Sequence, residues 1–321
     1  MPEKCLVIGL GQIGMGYDLK LDPANAVYTH ARAFSLHPAF ELLGAVDPSP
    51  TQRLLFERHY GQPAYADIKS ALKAGAASVV VIASPTEKHS EILHAVLHSK
   101  PKAILCEKPL SYNLSEARKM VEDCESAGVK LFVNYMRRAD PGAIEVKNRI
   151  ESAAISAPIK GSAWYSKGFL HNGSHFFNLL EFWLGEFVKA KVLDAGRLWD
   201  NKDSEPDVQV EFERGKVVFQ AAWEEAYSHY TIELLSRSGR LRYDQGGEHI
   251  AWQPAQADPN FSGYNVLQTT PEVIPSGLDR YQWNVVDQLA ASLSGAHTTL
   301  CTGRQALTTL SATYQIIKSE K

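Results

Sequence analysis

Three short stretches hold the residues best suited to chemistry. The first is Val7-Ile8-Gly9-Leu10-Gly11-Gln12-Ile13-Gly14, a G-x-G-x-x-G directly after an apolar run of strand length. Gly9 permits a tight turn, Gly11 keeps a side chain away from an approaching pyrophosphate, and Gly14 lets the next helix pack closely. Backbone N–H groups at that helix start face the anion, so Gln12 and Ile13 join the three glycines as cofactor contacts. A ligand-free glycine turn is the alternative. The position at the first strand–helix junction of a repeating series argues against it. Asp47 closes the second apolar run, Leu43-Gly44-Ala45-Val46-Asp47. A carboxylate there accepts hydrogen bonds from ribose hydroxyls and repels a 2′-phosphate, which favours NAD over NADP. It also suits a helix cap beside Pro48, and the two roles are compatible. Gly14 and Asp47 are 33 positions apart, where about 20 is usual. Residues 17–28 therefore read as an inserted loop, with a turn at Asp22-Pro23-Ala24-Asn25 and the helix resuming at Thr29-His30-Ala31.

The second stretch is Ala103-Ile104-Leu105-Cys106-Glu107-Lys108-Pro109. Ligands gather outside the carboxyl ends of parallel strands. An ammonium there, on Lys108, polarises an oxygen and stabilises developing alkoxide charge. A solvated loop lysine is an equally good reading of position alone. The third stretch, Gly168-Phe169-Leu170-His171-Asn172-Gly173-Ser174-His175, opens a helix. Histidine titrates near neutrality and suits proton transfer at an alcohol, so His175 and His171 are candidates. Four residues apart, they would share a helical face and make a metal conceivable. Gly173 and the cap-like Asn172 place His171 in a loop instead, and no third ligand stands out, so no metal site is expected.

These residues need a scaffold. Strand-length apolar runs occur at 5–8, 42–46, 79–82, 103–105 and 131–133, separated by helical patterns. Ser49-Pro50 opens one helix that stops at Gly61, another follows Ser84-Pro85, and a third ends at Gly128. Alternating strands and helices predict a doubly wound parallel sheet, a Rossmann domain over residues 1–135. Beyond it come a helix at 141–151 and strand runs at 159–165, 188–198, 208–213, 217–223 and 230–235, with turns at Arg214-Gly215 and Ser238-Gly239. Helical runs lie at 175–184 and 280–293. Residues 136–300 therefore predict an α+β domain with an open, mostly antiparallel sheet. A last helix, 303–319, returns to either domain, the first being favoured for 301–321.

Composition excludes several classes. With 45% hydrophobic and 21% charged residues in 321 positions, the chain is globular rather than disordered. A net charge of -3 provides no global field for nucleic acid or a membrane surface. No apolar run approaches the length of a bilayer span, and residues 1–9 lack the pattern of a signal peptide. Cys5, Cys106, Cys124 and Cys301 form no metal or disulfide spacing, which fits reduced thiols in a cytoplasm.

Taken together, the stretches resemble the Gfo/Idh/MocA family of oxidoreductases over nearly the whole chain. The resemblance rests on Gly9–Gly14, on Val80-Val81-Ile82-Ala83-Ser84-Pro85-Thr86 with His89, and on Glu107-Lys108-Pro109. It is completed by Asn134-Tyr135-Met136-Arg137-Arg138-Ala139-Asp140-Pro141 and by Gly173-Ser174-His175. It implies a bound NAD or NADP and a second domain that contacts substrate and often builds oligomers, here a dimer or tetramer. It implies that Lys108 assists a hydroxyl, that His175 is the acid/base, and that Ser84, Thr86, His89, Glu107 and Asn134 line the cofactor. His171 stands where many members carry Asp, and Asn178 where another Asp is frequent, which makes the polyol-oxidising members poorer guides. The His-Asn-Gly-Ser-His variant and the insertion resemble members acting on nucleotide-linked sugars, such as UDP-N-acetylglucosamine 3-dehydrogenases of lipid A and lipopolysaccharide assembly. Oxidation of a free sugar or inositol, an NAD-retaining internal redox cycle, and a non-catalytic NAD sensor are the alternatives.

Overall fold

The computed structural model describes residues 1–224 and 226–318. They form two compact units: Met1–Ala139 with Asp279–Thr308, and Asp140–Leu278 with the chain from Thr309 onward. In the first unit β1 (Glu3–Ile8), β2 (Phe40–Val46), β3 (Ala64–Tyr65), β4 (Val79–Ile82), β5 (Ala103–Cys106) and β6 (Lys130–Val133) alternate with α1 (His30–Leu36), α2 (Pro50–Tyr60), α3 (Ile68–Ala74), α4 (His89–Leu97) and α5 (Leu114–Ser126). β4 and β5 are buried along their whole length, as strands covered on both faces must be. Helix starts follow the capping chemistry: Ser49 accepts from the Gln52 N–H at α2, and Asn113 accepts from the Ser115 and Glu116 N–H groups at α5. β1 pairs in parallel with both β2 and β4, so the connections run to opposite sides from β1, the switch point where dinucleotides bind.

The insertion after the glycine turn is closed by a buried charge. A π-helical turn spans Gln12–Gly16. Beyond it the Asp18 carboxylate, fully buried, accepts from the Tyr28 and Thr29 N–H groups at 2.7 and 2.9 Å and from the Thr29 hydroxyl at 2.8 Å. Arg32 Nε lies 3.5 Å from the same group. Thr29 in turn caps α1. The expected turn at Asp22 forms, with Asn25 and Ala26 donating to the Asp22 carbonyl.

The second unit opens with α6 (Pro141–Glu151), β7 (Ile159–Tyr165) and α7 (Ser174–Leu184). β8 (Phe187–Trp199), β9 (Asp203–Phe212), β10 (Gly215–Ala221), β11 (Thr231–Ser236), β12 (Gly239–Asp244), β13 (His249–Ala257), β14 (Asn265–Leu267) and β15 (Glu272–Ile274) follow. Among the described residues the sheet order is β14-β13-β12-β11-β7-β10-β9-β8, with β15 on β13. β7 and β10 are parallel and the remaining neighbours antiparallel. Inward residues of the sheet meet α6 and α7 in a core that includes Tyr165, Phe169, Phe177, Trp183 and Phe219. The Trp183 indole N–H donates to the Ala143 carbonyl at 2.9 Å, tying α7 to α6.

The chain then departs from the expected 136–300 boundary. α8 (Tyr281–Leu293) belongs to the first unit, because Val285, Val286 and Leu289 complete its core with Phe34, Phe40 and Phe132. β16 (Cys301–Thr302) adds antiparallel to β6, giving the order β16-β6-β5-β4-β1-β2-β3. α9 (Gly303–Lys318) starts in the first unit; from Thr309 it belongs to the second, with Ala312 and Ile316 in that core. It therefore does not return wholly to the first, and its expected end at Ser319 lies outside the described residues. No helix among the described residues is long and apolar enough to cross a membrane. Trp183→Ala should destabilise the second unit by about 3–5 kcal/mol through cavity formation and the lost hydrogen bond; urea unfolding followed by circular dichroism measures it, and a loss below about 1 kcal/mol would contradict this packing.

Candidate functional site

The glycine turn separates what the chain requires from what a ligand requires. Gly9 has φ +101°, and a Cβ there would lie 2.6 Å from the Ala83 backbone. A Cβ on Gly14 would lie 2.0 Å from the Gly9 carbonyl oxygen. Around Gly11, by contrast, no atom of the described residues beyond its own chain neighbours lies within 4 Å of a built Cβ. The first and third glycines are thus needed by the fold itself. The second leaves open space over an exposed backbone, which suits the approach of a pyrophosphate. Exposed Gln12 and half-buried Ile13 begin the π-helical turn, where the leading N–H groups lack helical acceptors.

Asp47 is tied to this turn. Its Oδ2 accepts from the Leu10 N–H and its Oδ1 from the Ser49 N–H, both at 2.8 Å. Each oxygen retains a lone pair for a ribose hydroxyl. Arg53 donates to the carbonyls of Asp47 and Pro48. Bracing the turn and facing a ribose are therefore compatible roles for one carboxylate.

Ser84 follows β4, and Thr86 begins a 3₁₀ turn, Thr86–Lys88. His89 is placed differently from a cofactor contact. Its ring is buried, with Nδ1 3.1 Å from the Pro109 carbonyl and 3.3 Å from that of Leu110, and Nε2 3.0 Å from that of Ser84. Burial holds its pKa below the usual histidine value, against the pull of these carbonyls. The ring braces the turn after β4 against the Glu-Lys-Pro turn.

Glu107 leaves the carboxyl end of β5, with side-chain exposure of only 13%. Its Oε1 receives Asn134 Nδ2 at 2.6 Å and His30 Nε2 at 2.8 Å. Burial alone would raise its pKa; the hydrogen bonds from His30 and Asn134 and the adjacent Lys108 charge outweigh it and hold the carboxyl below the usual range. Lys108 is partly exposed beside it, before a cis peptide to Pro109. Sequence reasoning missed His30 as a partner of this site, and missed Gln282, whose amide lies 3.1 Å from His30 Nδ1. Their only sequence signals are a helix start after the insertion and the first turn of a remote helix.

On the second unit, His171 does not lie in a loop. A π-helical turn, Gly168–Gly173, runs directly into α7. β9 holds it: Asp203 accepts from the Leu170 and His171 N–H groups at 3.0 and 2.8 Å, and Glu205 from the Gly168 N–H at 3.0 Å. Burial pushes the Asp203 carboxyl above the usual aspartate value. The His171 ring stacks on Trp199, with centroids 5.1 Å apart. Asn172 donates to the Tyr230 hydroxyl and caps nothing. Gly173 precedes α7 because a Cβ there would meet Phe169 at 2.8 Å. His175 sits in the first turn of α7, 9% exposed.

Residues 4–135 match the family described as an oxidoreductase family with an NAD-binding Rossmann fold, Gfo/Idh/MocA. An inositol 2-dehydrogenase of Rubrobacter xylanophilus is 34% identical over 167 residues, 52% of this chain and 46% of that protein. The chain spans about half the length of the first curated relatives it matches. Among solved structures, an NAD binding oxidoreductase from Klebsiella pneumoniae has a TM-score of 0.80 at 18% identity, covering 100% of this chain and 98% of that one. The WlbA dehydrogenase from Bordetella pertussis, solved with NADH and UDP-GlcNAcA, has a TM-score of 0.77 at 18% identity, covering 100% and 96%. At that identity these two show a shared fold. Two outcomes follow from the cofactor side. Gly11→Ala should keep its melting temperature while NADH binds about tenfold more weakly by fluorescence titration, whereas Gly9→Ala should lose stability first. The stability contributed by ionised Glu107 is present above the ordinary carboxylate range and lost as pH falls through its lowered value. Melting temperature should therefore drop in that acid window, and Glu107→Gln should flatten the drop. Residues 4–135 are thus similar to the NAD-binding Rossmann part of the Gfo/Idh/MocA oxidoreductases.

Proposed function

We propose that this protein is an NAD-dependent dehydrogenase that oxidises a secondary alcohol of a sugar, and that the sugar is nucleotide-linked, with UDP-N-acetylglucosamine at C3 as the specific candidate. The observation that carries the reading is the Glu107-Lys108 turn, with its carboxylate held ionised beside a lysine at the carboxyl end of β5, in the unit whose glycine turn suits a pyrophosphate. When bound, NAD⁺ accepts the hydride. Lys108 polarises the hydroxyl oxygen and stabilises its developing charge. His175 takes the hydroxyl proton, and His171, stacked on Trp199, shapes the entrance to the same helix. Asp47 selects NAD through the ribose hydroxyls.

Two findings support the nucleotide-linked substrate. The WlbA dehydrogenase, similar along its whole length, binds UDP-GlcNAcA. The turn before α7 carries His171 and Asn172 against Trp199 and Tyr230, ring surfaces suited to a sugar or base. A role in lipid A or lipopolysaccharide assembly, in a cytoplasmic homo-oligomer, follows from this reading. A free polyol is favoured instead by the inositol 2-dehydrogenase relative.

Following NADH absorbance with NAD⁺, a ketone trap, and a panel of UDP-sugars, inositols and aldoses tests both. UDP-N-acetylglucosamine should give NADH, with Lys108→Ala and His175→Ala each lowering kcat by about 10²-fold or more. Turnover of inositol alone would sink the nucleotide-sugar reading and keep the dehydrogenase. NAD⁺ binding with no turnover of any alcohol would favour a sensor.

A further inference from the structure

One buried cluster in the first unit has a hydrogen-bond pattern that can be solved completely. It contains Glu107, Asn134, His30 and Gln282, from the turn after β5, the turn after β6, the start of α1 and the start of α8. His30 and Gln282 are fully buried and Asn134 is 4% exposed. An ionised carboxylate can only accept. The Asn134 atom 2.6 Å from Glu107 Oε1 must therefore be its amide nitrogen. That nitrogen also lies 3.2 Å from one amide atom of Gln282, which must then be the oxygen. The nitrogen of Gln282 is left facing His30, 3.1 Å from Nδ1 and 3.0 Å from Nε2. Nε2 is already turned to Glu107 at 2.8 Å, so Nδ1 is the acceptor and the ring proton sits on Nε2. With a neutral imidazole at His30, each donor and acceptor assignment follows from the single charge on Glu107.

The ring of bonds leaves one group over. Asn134 Oδ1 is buried and has no hydrogen-bond partner among the described residues. A buried orphan acceptor is rare and calls for a donor. It sits past the carboxyl end of β6, next to β5. With the glycine turn after β1 and Asp47 after β2 holding the pyrophosphate and adenosine ribose, the nicotinamide half of a bound NAD would fall on the β4–β6 side. The donor that a bound NAD would bring there is the carboxamide N–H₂ of its nicotinamide.

We propose that Gln282 is a positioning residue of the cofactor site: through the ring Gln282–His30–Glu107–Asn134 it fixes the Asn134 amide so that Oδ1 accepts from the cofactor carboxamide. The inserted segment serves this arrangement. Val27 and Asp279 are joined by a backbone bond, Gln282 N–H donates to the Val27 carbonyl, and Tyr28 stacks on Tyr281 at 5.3 Å. These contacts place the α8 start against His30.

The inference rests on NAD binding by the first unit and not on the substrate reading. Its probe is the 3-acetylpyridine analogue of NAD⁺, which keeps the carbonyl and lacks the N–H₂. The parent protein should bind NAD⁺ about tenfold more tightly than the analogue. Asn134→Ala should abolish that preference and Gln282→Leu should reduce it. Gln282→Glu keeps the oxygen that faces Asn134 and replaces the nitrogen that faces His30. It should preserve the preference while moving a proton onto His30 Nδ1. NMR of the cofactor-free protein with isotope-labelled histidine reads that proton directly, with His30 assigned by its loss in His30→Gln. A parent His30 carrying its proton on Nδ1, or a preference equal in parent and Asn134→Ala, would overturn the proposal. Should Gln282→Leu fail to fold, the parent tautomer and Gln282→Glu decide. Loss of NAD⁺ and analogue binding alike in the parent would instead remove the cofactor assignment itself.

Discussion

The Glu107 carboxylate is the charge around which the candidate cofactor site is organised. Removing such a group from water costs several kcal/mol unless donors compensate it. Its neighbours in sequence cannot supply enough of them, since the Lys108 N–H lies 3.4 Å from Oε2. The donors come from far away, His30 and Asn134, and His30 is in turn held by Gln282. One buried oxygen therefore requires that the insertion, the end of β6 and the start of α8 converge. This convergence also explains why α8 packs with the first unit although 139 residues of sequence, 140–278, form the other unit in between.

A parallel logic holds the second unit's candidate residues. A π-helical turn is uncommon and leaves backbone donors that an ordinary helix would satisfy. Asp203 and Glu205 reach across from β9 to accept them. Arg197 pairs with Glu205 at 2.7 Å and balances its charge. The absence of Asp at position 171 thus does not leave the turn without carboxylates. Those present accept from the backbone and hold the turn that leads His171 into α7.

The two units differ in how tightly their sequence is constrained. In the first, fully buried strands, a glycine at positive φ and a backbone contact that forbids a side chain at Gly14 leave few substitutions open. The second is an open sheet whose long strand β8 is largely exposed. Such a surface varies freely while the fold persists.

The sequence by itself determined what depends on local patterns. Five parallel strands, the α2 cap at Ser49, the glycine turn and the turn at Asp22 are all written in residues close together, so period and turn chemistry suffice to place them. The existence of α7 and α8 was legible for the same reason. Only the tertiary structure decided where those elements go. α8 reads as part of the second domain until its Val285, Val286 and Leu289 face meets Phe34 and Phe132. His171 reads as a loop residue because the acceptors that hold its π-turn lie on β9, more than a strand away in sequence. His89 reads as a cofactor contact until its ring is found between three carbonyls. His30 and Gln282 are legible only as residues near helix starts, since a buried hydrogen bond between positions 252 apart leaves no periodicity behind. Patterns along a chain report the face an element must bury; which distant charge a side chain must satisfy is settled only when the segments meet.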